Sequence, residues 1–362
     1  MERIAVDLVR NGYDIYIGRG LQEELKSFFR KNDFSHQAML VTDSNVGPLY
    51  GERVKKVLAE AGVTLHICTL PAGERTKTLS MIGELCSKAI EFGLDRYSPV
   101  IACGGGVIGD LAGFFAATYM RGVPFIQIPT SLLAQVDSSV GGKTGVNHYA
   151  GKNLLGAFYQ PKAVFIDIDF LQSLPPREVS TGLGEIVKYG VISDASFFSF
   201  LEEHYSQLLQ LEPETVLKTV KRACQLKAEI VEADEKEKGL RRILNFGHTI
   251  GHAIEKETRF SRYNHGEAVA IGMAAAAELS RGMGLTEKSY VNRLVVLLKK
   301  MGLPFKAEGC IADNIFADIF HDKKVVDGRV NWVLIKNIGD VVIRNDVPAE
   351  MVQHVIEECL ED

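Results

Sequence analysis

Short apolar runs alternate with amphipathic stretches through the first half of the chain and give way to long helical periods in the second. Apolar, often β-branched runs at 14–17, 38–41, 64–69, 99–102, 125–128 and 163–166 predict strands. Helical patterns such as 52–60 and 80–92 lie between several of them, the signature of a parallel sheet wrapped by helices. After Leu174-Pro175-Pro176 the period changes: 197–211, 214–233, 241–257, 267–283 and 289–301 predict helices. Only 330–342 reads as extended, a small hairpin around Asn337-Ile338-Gly339-Asp340. A Pro-Pro pair interrupts helix and central strand alike. The fold class expected is therefore an α/β, Rossmann-like domain with a mainly parallel sheet over 1–174, followed by an all-helical domain with a small hairpin over 175–362.

Composition narrows the function classes. A chain of 362 residues, 46% hydrophobic and 24% charged, suits a two-domain globular enzyme. A net charge of −5 argues against nucleic acid as the main partner, yet a local cluster of lysines and arginines can still hold a small anion. The six cysteines form no C-x-x-C pair and read as reduced thiols of a cytoplasmic protein. The first residues lack the pattern of a signal peptide, and no apolar run approaches the roughly 20 residues of a membrane span, so no membrane partner is expected.

The densest chemistry is Asn245-Phe246-Gly247-His248-Thr249-Ile250-Gly251-His252, followed by His265-Gly266-Glu267, in a chain with nine histidines. On a helix His248 and His252 overlie one another, a face able to bind a metal. Neutral imidazole is the commonest metal ligand. Glu185, in Gly182-Leu183-Gly184-Glu185-Ile186-Val187-Lys188, is a carboxylate among small and apolar residues, costly to bury unless paired or metal-bound. Two histidines and one glutamate would leave a coordination position open, as in catalytic zinc sites.

Val100-Ile101-Ala102-Cys103 runs into Gly104-Gly105-Gly106-Val107-Ile108-Gly109-Asp110, a G-x-G-x-x-G pattern between an expected strand and helix. Such glycines let the backbone approach a pyrophosphate at a helix N-terminus. No acid closes the next strand; a ribose acid could come from Asp43 or from Glu74. A third glycine- and donor-rich stretch, holding Asp137, Lys143, Lys152 and Asn153, lacks the spacing of a Walker loop but suits anionic oxygens.

Together these segments resemble the 3-dehydroquinate synthases over nearly the whole chain: residues 71–77, 104–110, 129–143, 152–153, 158–161, 182–188, 227, 239–252, 265–267 and 322–324 carry the likeness. The resemblance implies a shikimate-pathway lyase that converts 3-deoxy-D-arabino-heptulosonate 7-phosphate to 3-dehydroquinate and phosphate. The implied course is transient oxidation at C5 by NAD, phosphate elimination, re-reduction, ring opening and aldol closure. It further implies a divalent metal, zinc or alternatively cobalt, on Glu185, His248 and His265, with His252 turned to substrate. Implied NAD contacts are Asp43, Asn45, Glu74, Lys77, Gly106, Val107, Ile108, Gly109, Asp110, Thr130, Ser131, Lys143, Lys152, Phe170, Leu171, Gln172 and Ser173. Implied groups at the reacting substrate are Asp137, Lys143, Lys188, Asn245 and His252. Arg121, Lys152, Asn153, Lys227, Arg241 and one of Lys323 and Lys324 are implied to bind it, with Arg242 an alternative to Arg241. Arg121 matches an arginine that reaches a neighbouring subunit, so a homodimer is implied. The domain over 1–174 would then bind NAD, and that over 175–362 metal and substrate.

Three other readings stay open on sequence. A metal-dependent NAD polyol dehydrogenase shares the cofactor logic, and another sugar-phosphate cyclase would leave Lys227 and Arg241 without a carboxylate. A non-catalytic NAD sensor would close its metal site with a fourth ligand.

Overall fold

The computed structural model describes residues 1–321 and 330–361. Lys323 and Lys324 lie outside the described residues. The chain divides into two compact units, Met1–Leu174 with Lys227–Glu235, and Pro175–Leu226 with the chain from Lys236 onward.

In the first unit a seven-stranded sheet is built from β1 (Glu2–Val6), β2 (Tyr13–Gly18), β3 (Gln37–Asp43), β4 (Thr64–Leu70), β5 (Val100–Gly104) and β6 (Phe125–Pro129). A separate hairpin of β7 (Lys143–His148) and β8 (Gly151–Phe158) precedes its last member, β9 (Ala163–Asp167). The order is β1-β2-β9-β6-β5-β3-β4, parallel throughout except where β1 joins β2. Both faces are covered, which is why the inner strands read as continuous apolar runs. Ala38 and Leu40 pack with Leu25 and Phe29 of α1 (Gln22–Lys31) and Val54 and Leu58 of α2 (Gly47–Glu60). Met39 and Val41 pack with Leu85 of α3 (Leu79–Glu91) and Leu111 and Phe115 of α4 (Gly106–Thr118). After β4 the chain crosses to the other side of β3, so the winding reverses between β3 and β5, the place where doubly wound sheets bind ligands.

The second unit is helical: α5 (Pro176–Ser193), α6 (Ala195–Leu209), the start of α7 (Pro213–Ala233), α8 (His248–Glu257), α9 (His265–Gly282), α10 (Lys288–Lys300), α11 (Ala312–His321) and α12 (Ala349–Glu358). Ile250, Ile254, Ile271, Leu279, Trp332 and Leu334 form its core. The expected hairpin is β11 (Trp332–Asn337) with β12 (Asp340–Arg344), and a two-residue parallel pair, β10 (Ala307–Glu308) with β13 (Leu360–Glu361), accompanies it.

Four features depart from the periodicity reading. The helix expected over 241–257 is a 3₁₀ turn, Leu240–Asn245, then α8, divided at Gly247 with φ of 78°. Residues 143–158, read as glycine turns, form the β7–β8 hairpin; a Cβ on Gly156 would lie 2.2 Å from the Thr144 carbonyl oxygen, so close strand approach explains that glycine. α5 shows no amphipathic period because it is buried from Thr181 through Ile192 on every face. Residues 227–235, expected in the second domain, group with the first unit. There Lys227 Nζ donates to Asp137 Oδ1 at 2.7 Å, the Asp7 N–H donates to Glu232 Oε1 at 2.7 Å, and Gln160 Nε2 donates to Glu235 Oε1 at 3.0 Å. Helical periodicity records which face is apolar, not which body receives it.

Candidate active site

Three helices of the second unit aim one ligand atom each at a common point. Glu185 lies in the middle of α5; His248 and His265 are the first residues of α8 and α9. Glu185 Oε1 is 3.6 Å from His248 Nε2 and 3.7 Å from His265 Nε2. These separations are too long for hydrogen bonds, and Oε1 is fully buried with no hydrogen-bond partner. Ligand bonds of roughly 2.0–2.2 Å in tetrahedral array put donor atoms roughly 3.3–3.6 Å apart, so the spacing fits a shared divalent ion. A buried carboxylate oxygen left unsatisfied is otherwise costly.

The remaining bonds prepare the donors. Glu185 Oε2 accepts from Lys188 Nζ, one turn along α5. His248 Nδ1 faces the Phe246 carbonyl at 3.1 Å, and His265 Nδ1 faces Glu255 Oε2 at 3.4 Å. In each ring a proton on Nδ1 leaves the Nε2 lone pair turned to Glu185. Burial, then the charge of Lys188 and the neighbouring imidazoles, holds His248 well below the ordinary histidine range, so the ring is neutral and able to ligate. The positive end of α8 opposes a His248 imidazolium in the same sense.

Glycine sets how closely the three helices approach. A Cβ on Gly184 would lie 2.6 Å from the Gly266 carbonyl oxygen, and one on Gly266 only 2.0 Å from that of Thr181. Between α8 and α9 a Cβ on Gly272 would fall 1.9 Å from the Gly247 carbonyl oxygen. Glu185, His248 and His265 each therefore stand beside a glycine at a point of backbone contact. Asn264 and Glu267 close a capping box at the start of α9, and Glu267 also takes a two-pronged bond from Arg177 at 2.7 and 2.9 Å. The Glu of His265-Gly266-Glu267 is thus a helix-cap residue that fixes where His265 begins. Glu267→Ala should cost about 1–2 kcal/mol, mostly the lost cap because Arg177 is half exposed, read as a lower denaturation midpoint with unchanged slope.

Nearby, the His252 ring centre is 5.3 Å from that of His248 and 5.8 Å from that of His265. The pairing of His248 with His252 suggested by spacing is not the one formed with Glu185; His252 groups instead with Glu255 and His265. Lys188 and Arg241 are buried, and Asn245 Nδ2 donates to Glu237 Oε1 at 3.1 Å.

In the first unit β5 ends at Gly104 and α4 starts at Gly106, with no side chain capping its first N–H groups. Gly106, Val107, Ile108, Gly109 and Asp110 make the first turn and a half of that helix. A Cβ on Gly109 would lie 2.9 Å from Gln127 Oε1, so one loop glycine serves packing. Asp43 ends β3, two positions beyond the Val41–Ala102 pair, which sets it beside Gly104. An acid that the strand after the glycine loop lacks thus stands on the neighbouring strand β3. Asp43 Oδ1 accepts from the N–H of Asn45 and Val46.

Lys77 Nζ bonds both Asp110 Oδ2 and Asn153 Oδ1 at 2.5 Å, joining two expected NAD contacts to a substrate one. Glu74 Oε1 accepts from Asn147 Nδ2 at 2.7 Å. Thr130 and Ser131 follow β6; the Thr130 N–H donates to Gly104 O and Ser131 Oγ accepts from the Ala134 N–H. Lys143 opens β7 and Lys152 lies in β8. Phe170, Leu171, Gln172 and Ser173 fall in a 3₁₀ turn where the Phe170 and Leu171 side chains are core and Gln172 and Ser173 are exposed. Lys227, expected opposite a substrate carboxylate, is paired with Asp137. Met120, Arg121 and Gly122 all have positive φ, a conformation costing a non-glycine residue about 1–3 kcal/mol and concentrated at functional sites. Sequence reasoning missed Asn147 and Glu255, which carry no motif; Glu255 had a signal, since it stands at i+7 from His248 on the histidine face.

Known proteins resemble the chain over nearly its whole length. The family models for the 3-dehydroquinate synthase N-terminal and C-terminal parts match residues 67–181 and 182–325. A 3-dehydroquinate synthase of Desulforamulus reducens is 48% identical over 96% of this chain and 97% of its own. Among solved structures, 2-deoxy-scyllo-inosose synthase complexed with carbaglucose-6-phosphate, NAD+ and Co2+ superposes with a TM-score of 0.91 at 29% identity, covering 99% and 100% of the two chains. The 2-epi-5-epi-valiolone synthase of Streptomyces hygroscopicus subsp. jinggangensis 5008, with NAD+ and Zn2+ bound, gives 0.89 at 32% identity, covering 98% of each. The chain belongs to the 3-dehydroquinate synthase family.

Proposed function

We propose that this chain is a carbon–oxygen lyase that converts 3-deoxy-D-arabino-heptulosonate 7-phosphate to 3-dehydroquinate and phosphate in the shikimate pathway, as a cytoplasmic homodimer using NAD and a divalent zinc or cobalt ion. The observation that carries the reading is the unsatisfied Glu185 Oε1 facing two Nε2 atoms at metal-sharing distance. Three protein ligands leave a position for a substrate hydroxyl. The course is oxidation at C5, loss of phosphate, re-reduction, ring opening and aldol closure, with no net redox change. When bound, the ion would acidify the hydroxyl it holds and NAD would accept and return a hydride.

The chain's own groups bind, orient and balance charge. Lys188 places its ammonium on Glu185 Oε2 from inside α5, so the fully buried carboxylate has a charge partner on its own helix. The first turn of α4, rich in glycine and free N–H groups, is the seat for the dinucleotide pyrophosphate, and Asp43 and Glu74 are the acids for its ribose hydroxyls. In the first unit Lys152, Asn153 and Lys227 serve the anionic ends of the substrate, while Asp137 and Lys143 meet its reacting part. In the second, Arg241 serves the carboxylate, and Lys188, Asn245 and His252 meet the reacting part. A phosphate monoester carries roughly −1.5 to −2 charges, which calls for several such donors. Arg121, in its positive-φ turn, reaches the substrate of a second copy.

The 48% likeness to a 3-dehydroquinate synthase against 29–32% for two other cyclases supports a substrate that bears a carboxylate. Incubation with the heptulosonate phosphate, catalytic NAD and zinc should release phosphate stoichiometrically without accumulating NADH. Accumulated NADH would make the enzyme a dehydrogenase, and turnover of glucose 6-phosphate alone would make it a different cyclase.

A further inference from the structure

We propose that Glu255 is a positioning residue for His265: it holds the ring by Nδ1 and keeps Nε2 turned to Glu185, and so sets the affinity of the site for its metal. The inference rests on reading Glu185, His248 and His265 as the ligands. Glu255 is 6% exposed on α8, among Ile250, Ala253 and Ile254, where a carboxylate is costly without a partner. It shares a helix face with His248 and His252, at i, i+4 and i+7, and its Oε2 lies 3.4 Å from His265 Nδ1 across on α9.

The two histidines are held differently. His248 Nδ1 faces a neutral acceptor, the Phe246 carbonyl, which belongs to the backbone and cannot be mutated away. His265 is held by a charged acceptor, which strengthens a hydrogen bond and increases electron donation from the opposite nitrogen. His265 is also the more exposed ring, 30% against 12% for His248, so packing restrains it less and the Glu255 contact matters more for its orientation. His252 and Glu255 approach His265 together, which allows the same carboxylate to order the face from which substrate would meet the ion.

The test uses the full chain as Glu255→Gln and Glu255→Ala, with Zn2+ affinity measured by competition against a chromophoric chelator, the Co2+ visible spectrum of each, and the thermal midpoint of the metal-free proteins. Gln keeps an acceptor without the charge, and Ala removes both. Affinity should fall about 10-fold for Gln and up to about 100-fold for Ala, the range for loss of an acceptor behind a ligating histidine. The Co2+ spectrum should shift while the metal-free midpoint of the Gln variant stays near that of the parent. If Ala does not fold, the Gln affinity and spectrum decide. Unchanged Zn2+ affinity and Co2+ spectrum in the Gln variant, whatever its midpoint, would reduce Glu255 to a packing role and overturn the proposal. His265→Ala serves as the reference: if it too binds Zn2+ as the parent does, the ligand set fails, whereas if it alone loses Zn2+ only the role of Glu255 fails.

Discussion

His265→Ala should empty the ion site and abolish turnover in a protein that still folds, whereas Glu185→Ala should lose both the ion and much of the fold's stability. The His265 side chain is 30% exposed, so its removal opens a space through which water can reach the Glu255 carboxylate it leaves behind. With one of three protein ligands gone, affinity should drop by more than the roughly 100-fold that an outer partner contributes. Glu185 is completely buried, and its other oxygen accepts from Lys188, whose side chain is 2% exposed. Alanine there leaves an ammonium in the protein interior without its counter-charge, a change that typically costs about 3–5 kcal/mol out of a total stability of about 5–15. Glu185→Gln separates the two effects: it keeps shape and an oxygen near Lys188 but removes the ligand charge, so it should bind metal poorly while unfolding nearer the parent. Metal content of the purified proteins, phosphate release and thermal midpoint decide. A His265→Ala protein that retains a full equivalent of zinc would end the assignment.

Gly266→Ala should be among the most damaging single methyls in the second unit. Its Cβ would stand 2.0 Å from the carbonyl oxygen of Thr181, a main-chain atom of α5 that no rotamer change can move. α9 would have to withdraw from α5 by more than about 1 Å to restore van der Waals distance. Overpacking typically costs about 1–3 kcal/mol, and a backbone obstacle places this site at or above the upper end. The same withdrawal carries His265 away from Glu185, so metal affinity should fall with the thermal midpoint, although neither ligand has been changed. Gly282→Ala on the same helix is the control, because its Cβ would meet only the end of the Met351 side chain at 3.0 Å, and it should leave both readouts nearly unaltered. Equal behaviour of the two variants would show that the glycine contact does not set the geometry of the ligands.

What was legible beforehand followed from rules that act over a few residues. The strand runs at 38–41 and 100–102 read as buried because both faces of the sheet are covered, and the change of period after Pro175 marked where helices take over. The histidine cluster, the glycine turn at 104–109 and Glu185 stood out by residue type alone. Hidden were the extent of the helix that carries Glu185, α5, buried on every face over 181–192, and the β7–β8 hairpin, whose glycines serve cross-strand contact and look like turns. The helical period over 241–257 concealed a break, since only the left-handed backbone at Gly247 turns His248 into the first residue of a new helix.

Sequence by itself therefore determined the chemical inventory and the local periods: an α/β part, a helical part, imidazoles and a carboxylate able to hold a metal, and a glycine loop able to seat a diphosphate. Tertiary structure decided which of those groups meet. It brought Glu185 to His248 and His265, a set that helical spacing did not give and the family resemblance implied, set Asp43 beside Gly104, and gave residues 227–235 to the first unit. The reason is physical. Residue type and period are properties of neighbours along the chain, whereas distances between side chains on separate helices are set by how closely those helices pack, and here that distance is governed by backbone touching backbone at glycine.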